Sequence, residues 1–159
     1  MNVLYLIMRN DIPSMNPGKL AAQASHVANA CVKRINTGKN IKLKRMLKNW
    51  EGETGKGFGT AICLAANFDQ IFDIGCQIYG QEAIFGMVDD PSYPCYVPTE
   101  VAKVMYGNCS LKDNGYSVIV REDQENSIFL RPEMVGAYLF GDKDNPNIIQ
   151  HTKELKLYP

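Results

Sequence analysis

No apolar run in the sequence is long enough to cross a membrane, no cysteines are paired in a motif, and no acidic residue falls between Ile12 and Trp50. The N-terminal apolar stretch Val3–Met8 stops at Arg9, and neither a basic start nor a small-residue cleavage site accompanies it. It therefore reads as a buried first strand rather than a membrane span or a signal peptide, and a cytoplasmic location is expected. The five cysteines, Cys31, Cys63, Cys76, Cys95 and Cys109, are odd in number and widely spaced, with no C-x-x-C pair and no clustered histidines. That pattern argues against a zinc site and a disulfide framework, leaving free, buried thiols in a reducing compartment as the expectation. Charged residues at 21% and hydrophobic residues at 45% exclude intrinsic disorder. Without internal repeats or low-complexity tracts, the 159 residues are expected to form a single domain, 1–159, able to bury its own core.

The zero net charge conceals a polarity along the chain. The acid-free stretch carries eight basic residues, Lys19, Lys33, Arg34, Lys39, Lys42, Lys44, Arg45 and Lys48, leaving nine of the seventeen basic and all seventeen acidic residues elsewhere. A segment of +8 against a remainder of −8 could orient a polyanion onto one face, whereas a solvated helix surface would explain the same lysines by solubility.

Residues 3–8 are expected as a strand and Asn10–Gly18 as a loop. Asn16 is a suitable N-cap and Pro17 a suitable first helical residue, opening an amphipathic helix with apolar positions Leu20, Ala24, Val27, Cys31 and Ile35 that ends before Thr37-Gly38. A short basic helix over 40–50, with Ile41, Met46, Leu47 and Trp50 inward, precedes a glycine-rich loop over 51–59. That loop has the wrong spacing for a phosphate-binding loop. A strand over 60–65 comes next, followed by a helix opened by a capping box at Asn67–Gln70 and carrying Ile71, Phe72, Ile74 and Ile78, then a strand over 83–88. Beyond Asp89-Asp90 the pattern loosens through Pro91, Pro94 and Pro98. Residues 116–120 and 127–130 read as a hairpin, 135–140 as a final strand and 145–154 as a last helix. The order predicts an α/β fold, a three-layer α/β/α sandwich on a mixed, mainly four-stranded sheet with an inserted hairpin.

On a helix, Lys19, Gln23 and His26 are spaced i, i+4 and i+7, which is expected to gather them on one polar face opposite the apolar stripe, near the helix N-terminus. Backbone N–H groups and the helix dipole there favour an anion, to which Lys19 adds a full charge. The small residues Ala21, Ala22, Ala24, Ser25 and Ala28 are expected to let the helix approach the sheet.

Arg9-Asn10-Asp11 followed by Gly18-Lys19-Leu20-Ala21-Ala22-Gln23-Ala24-Ser25-His26 resembles the segment after the first strand of the class II peptidyl-tRNA hydrolases, whose pattern is R-x-D-L-x-x-x-K-G-K-x-A-A-Q-x-x-H-A. Weaker similarity continues through Asp89-Asp90 and from Leu139-Phe140-Gly141 to Leu155-Lys156-Leu157. The resemblance implies hydrolysis of the ester between a peptide and tRNA, with no metal and no cofactor. Lys19 would stabilise an oxyanion or a nearby phosphate and Asp90, or Asp89, would orient water. His26 would either support the site or transfer a proton, and Gln23 would complete the polar set. The tRNA backbone would meet Lys33, Arg34, Lys42, Lys44, Arg45 and Lys48. No membrane partner is implied, and a homodimer is among the assemblies left open.

Two positions depart from the family pattern. Pro17 replaces the first motif lysine, and an insertion over approximately 91–126 interrupts the G-x-T-Q-x-x-P segment after the aspartate. Aligning Pro98 with the family proline places Pro94 where threonine belongs. Aligning Pro132 instead puts Ser127 one position from the place of the threonine, able to supply a hydroxyl, and makes 135–141 the last strand. The alternative function is a non-catalytic member of the same fold that binds RNA or a protein partner; a third is a small-molecule enzyme.

Overall fold

The computed structural model describes residues 1–12, 14–78, 83–98 and 126–159, with side chains described for 1–12, 14–78, 83–94 and 130–159. Its elements run β1 (Asn2–Arg9), α1 (Pro17–Thr37), α2 (Ile41–Gly52), β2 (Ala61–Ala66), α3 (Phe68–Ile78), β3 (Ile84–Pro98), β4 (Asn126–Asp142), α4 (Pro146–Thr152) and β5 (Lys156–Leu157). Two compact units are formed, one from Met1–Val88 with Val135–Pro159 and the other from Asp89–Met134. The second spans the whole stretch read as an insertion; the expected strand over 116–120 and the hairpin tip lie outside the described residues.

Local sequence sets each helix start. Asn16 Oδ1 accepts the Lys19 N–H at 3.0 Å and Asn40 Oδ1 accepts the Leu43 N–H at 3.1 Å. At α3 the expected capping box closes in both directions: the Asn67 N–H donates to Gln70 Oε1 at 2.9 Å and the Gln70 N–H to Asn67 Oδ1 at 2.8 Å. Each cap satisfies backbone donors that a helix leaves open.

Among the described residues the sheet has the order β3-β4-β1-β2-β5, so it has five strands there rather than four, the extra one being Lys156–Leu157. β1 runs parallel to β2 (Leu4 opposite Ala61, Met8 opposite Ala65) and antiparallel to β4 (Val3 opposite Gly141, Met8 opposite Gly136). Alternation along β1 sorts the two helical layers. Leu4 and Met8 join Val27, Cys31, Ile35, Leu47 and Trp50 in the core under α1 and α2, with Tyr138 and Phe140 of β4. Val3 and Gly141 face the other way, where Ile148 of α4 packs, and α3 lies beside α4 in that layer. The result is the expected α/β/α sandwich.

Several expectations are corrected. β3 and β4 continue well past the short strands read over 83–88 and 135–140, and β4 fuses 127–130 with 135–140 into one strand. The prolines that suggested interruption are tolerated. Among the described residues β3 is the edge strand, and Pro132 lies beyond the last β1 partner, Gly136, so no ladder donor to β1 is lost. Ile41 is 74% exposed because it stands about 120° around α2 from Leu47; the half-buried Leu43 takes its place in the core. Phe72 is also exposed, since α3 buries only Ile71, Ile74 and Ile78. Of the thiols, Cys31 is buried but Cys63 is half-buried and Cys76 exposed, all three free. Burial pushes the Cys31 thiol up to about 12 against the opposing charge of Arg34, so it is an inert packing group.

Candidate functional site

Seven residues separate the end of β1 from the start of α1, which holds the helix N-terminus close to the carboxyl ends of the parallel pair β1 and β2. In open α/β sheets that end is where ligands bind. α1 buries Gln23, Val27, Cys31 and Ile35, a stripe advancing four residues at a time. Traced back one step further, the stripe reaches Lys19, which is half-buried.

This corrects the expected polar face. Gln23 is only 40° from Val27 around the helix, so it continues the apolar stripe rather than opposing it, and it is 5% exposed. His26, a further 60° away, is exposed. The three thus stay within about 60° of one another as expected, but Gln23 is buried, Lys19 half-buried and His26 exposed. A glutamine at a buried stripe position is uncommon enough to mark a site. The small residues divide similarly: Ala24 and Ala28 pack on the core, while Ala21, Ala22 and Ser25 are exposed.

The helix N-terminus is also less open to an anion than its sequence suggests. Pro17 has no N–H, the Lys19 N–H is engaged by Asn16 Oδ1, and the Leu20 N–H donates to the Asn16 carbonyl at 2.8 Å. Anion binding there falls chiefly to the Lys19 ammonium and the helix dipole.

Arg9 and Asp11, motif residues given no role from the sequence, frame this end of the sheet. Arg9, 8% exposed, pairs through Nε with Asp11 Oδ1, and its guanidinium lies 5.4 Å from the centre of the Phe68 ring. Asp11 Oδ2 accepts the Phe68 N–H at 3.2 Å, and the Tyr158 hydroxyl donates to the Arg9 carbonyl at 3.1 Å. Partial burial would lift the Asp11 carboxyl, but the hydrogen bonds from Arg9 and the Phe68 N–H outweigh it and hold the group below its ordinary range. The R-x-D spacing was the available signal, since alternate residues on an extended chain share a side.

Asp89 and Asp90 lie within β3, not in a loop after it, and belong to the second unit. Asp89 is exposed; Asp90 is half-buried and its Oδ1 accepts the Ser92 N–H at 2.9 Å. Ser127 falls near the start of β4, its side chain outside the described residues.

The basic residues share one layer. Lys33 and Arg34 on the last turns of α1, and Lys42, Lys44, Arg45 and Lys48 on the adjoining α2, are all exposed. Arg34 differs from the others: Nη1 donates to the Phe85 carbonyl at 3.3 Å and to the Tyr138 hydroxyl at 3.2 Å, tying α1 to β3 and β4.

The fold and this site define a three-layer α/β protein with a lysine and a buried glutamine at the opening turns of its first helix. The family model of peptidyl-tRNA hydrolase PTH2 matches residues 2–78, from the first residue of β1 to the last of α3, a match that supports membership of that family. The matched segment holds Arg9, Asp11, Lys19, Gln23 and His26, while Asp89, Asp90 and Ser127 lie beyond it. No curated protein matches the chain. Among the described residues, no helix is long and apolar enough to cross a membrane.

Proposed function

We propose that the protein hydrolyses the ester joining a peptide to the terminal ribose of tRNA. The observation that carries this reading is the buried Gln23 one turn from the half-buried Lys19 on α1, within the segment that matches the hydrolase family. Water adds to the ester carbonyl carbon, and the tetrahedral intermediate collapses with cleavage of the bond to the ribose oxygen, which takes a proton; peptide carboxylate and free tRNA leave. The Lys19 ammonium stabilises the developing oxyanion, and Gln23 holds the ester or the lysine in position. Asp90, or Asp89, orients the water, and Ser127 supplies the hydroxyl that the family places on threonine. His26, being exposed, supports the substrate side of α1 rather than the reacting centre.

The tRNA backbone lies along the basic layer of α1 and α2 through charge, without reading bases. The test is incubation of purified protein with N-blocked aminoacyl-tRNA and a chelator, with ester cleavage followed over time. Cleavage that Lys19→Ala suppresses supports the reading. Binding of tRNA without cleavage would make the chain a non-catalytic RNA-binding member of the fold.

A further inference from the structure

A concavity of about 520 Å³ lies between α3 and β3, bordering the basic layer only at Arg34. It is lined by Phe72, Gly75 and Cys76 on one turn of α3, by Phe85, Gly86 and Met87 of β3, and by Arg34. Phe72 is 49% and Met87 47% exposed, and the Phe72 ring stacks on Phe68, itself 43% exposed, at 6.3 Å between centres and 12° between planes. Scattered surface hydrophobics are ordinary, but a continuous strip lining a cavity marks a place where something binds.

The groove is built rather than left over. A Cβ at Gly75 would come within 2.7 Å of the Phe85 ring, so this glycine lets the ring form part of the groove wall, while Gly86 leaves room for the Tyr138 hydroxyl, which a Cβ there would meet. Arg34 closes one side, fixed by its hydrogen bonds to the Phe85 carbonyl and the Tyr138 hydroxyl.

Charge identifies the occupant. Within the unit that holds the groove, the described residues from Gly57 to Val88 include no basic residue and two acids, Asp69 and Asp73, against the acid-free stretch from Ile12 to Trp50. Asp69 and Asp73 sit exposed on α3 itself. A nucleic acid is repelled from such a surface, whereas a neutral or cationic peptide is not. Resting on the hydrolase reading above, we propose that this groove binds the peptide half of the substrate, seating an apolar side chain against Phe72 and Met87. The molecule thereby matches the polarity of its substrate, polyanion on the lysines of the α1 and α2 layer and peptide on the α3 and β3 side, with Arg34 at the boundary between them.

The test uses the full chain and tRNA esterified to N-acetylated peptides of two to five residues. All end in the same glycine, so that the ester is constant, and the upstream residues are either leucine or serine. An extended peptide advances about 3.3 Å per residue, so the length series reads out which residue reaches the groove. At that length the wild-type KM is expected to be about tenfold lower for the leucine peptide than for the serine peptide. Phe72→Ser and Met87→Ser, each at a half-exposed position, should separately narrow that ratio to about two or less. Ile149→Ser, at an exposed apolar position on α4, should leave it at the wild-type value.

Hydrolysis without any leucine preference, or a preference that both variants retain, overturns the groove while leaving the hydrolase reading intact. Failure to hydrolyse any of the esters overturns both. A wild-type dimer that Phe72→Ser converts to monomer, with the peptide preference unchanged, would assign the strip to a second copy of the chain and overturn the proposal.

Discussion

The Asp11 carboxylate accepts the backbone N–H of Phe68 across 57 positions of sequence, joining the loop that leads into α1 to the first turn of α3. Its other oxygen holds Arg9, so one side chain links the end of β1, the entry to α1 and the start of α3. A motif aspartate next to a candidate site invites a catalytic role; its partners give it a scaffolding one.

That assignment predicts a particular pH dependence. The folded Asp11 carboxyl lies below its ordinary value of 3.8, so its stabilisation is fully present above about pH 4 and is lost as the pH falls through the lower, folded value. Asp11→Asn should lower stability by about 1–2 kcal/mol near neutrality by weakening the hold on a mostly buried guanidinium. It should also reduce the loss of stability below about pH 4. Urea unfolding at pH 7 and at several points down to pH 2.5 measures both effects.

Gly18 separates folding from function. It sits at the second position of α1, and a Cβ there would meet only Asn16 Oδ1, at an ordinary 3.5 Å. Gly18→Ala should therefore stabilise the protein by about 0.5–1 kcal/mol through the lower entropy of its unfolded chain. Ester hydrolysis should nonetheless fall, since substrate must approach the helix start closely. An alanine variant that gains stability and keeps full turnover would show that the glycine has no part in the site.

Lys19→Ala should lower kcat/KM by at least about tenfold with little change in unfolding midpoint, because a positioned charge on the oxyanion commonly contributes that much or more. Gln23→Leu, conserving volume at a buried position, should preserve the fold while lowering turnover. If both variants were destabilised in proportion to their loss of activity, the pair would be packing residues.

The helix starts were legible in the sequence because a cap is a local device: Asn16, Asn40 and the Asn67–Gln70 box each depend on residues within three positions. The full length of β3 was not, because Pro91, Pro94 and Pro98 look like interruptions until the strand order shows which donors the sheet requires. At the candidate site, residue types were legible but directions were not. Gln23 read as polar and therefore outward, whereas its 40° offset from Val27 carries it inward. The Asp11 link to Phe68 and the Arg34 link to Tyr138 join residues far apart in sequence, and no spacing rule reports such pairs.

Arg34 and Lys48 should behave differently despite equal charge. Arg34→Ala removes two hydrogen bonds to β3 and β4 and should cost about 1 kcal/mol of stability, whereas Lys48→Ala should stay within about 0.5 kcal/mol. Thermal unfolding of the two variants side by side decides this, and equal effects would mean that the Arg34 bonds are solvated away.

The exposed basic residues on α2 should carry the tRNA contacts, since Lys42, Lys44, Arg45 and Lys48 project into solvent from a helix with no acid in its first turn. If three or four phosphates are neutralised, the logarithm of the binding constant should fall against the logarithm of salt with a slope of roughly −2 to −4. Lys42→Glu combined with Arg45→Glu should weaken binding and flatten that slope by about one unit or more. Cleavage of a minimal ester substrate that lacks tRNA should change little, because the charge reversal touches neither Lys19 nor Gln23. Reversal on α2 is the cleaner choice over Arg34, whose loss would disturb β3 and β4 as well as the surface potential. Binding that ignores salt, or that survives the double reversal with its slope intact, would mean that α2 is a solvated helix and that tRNA docks on another face.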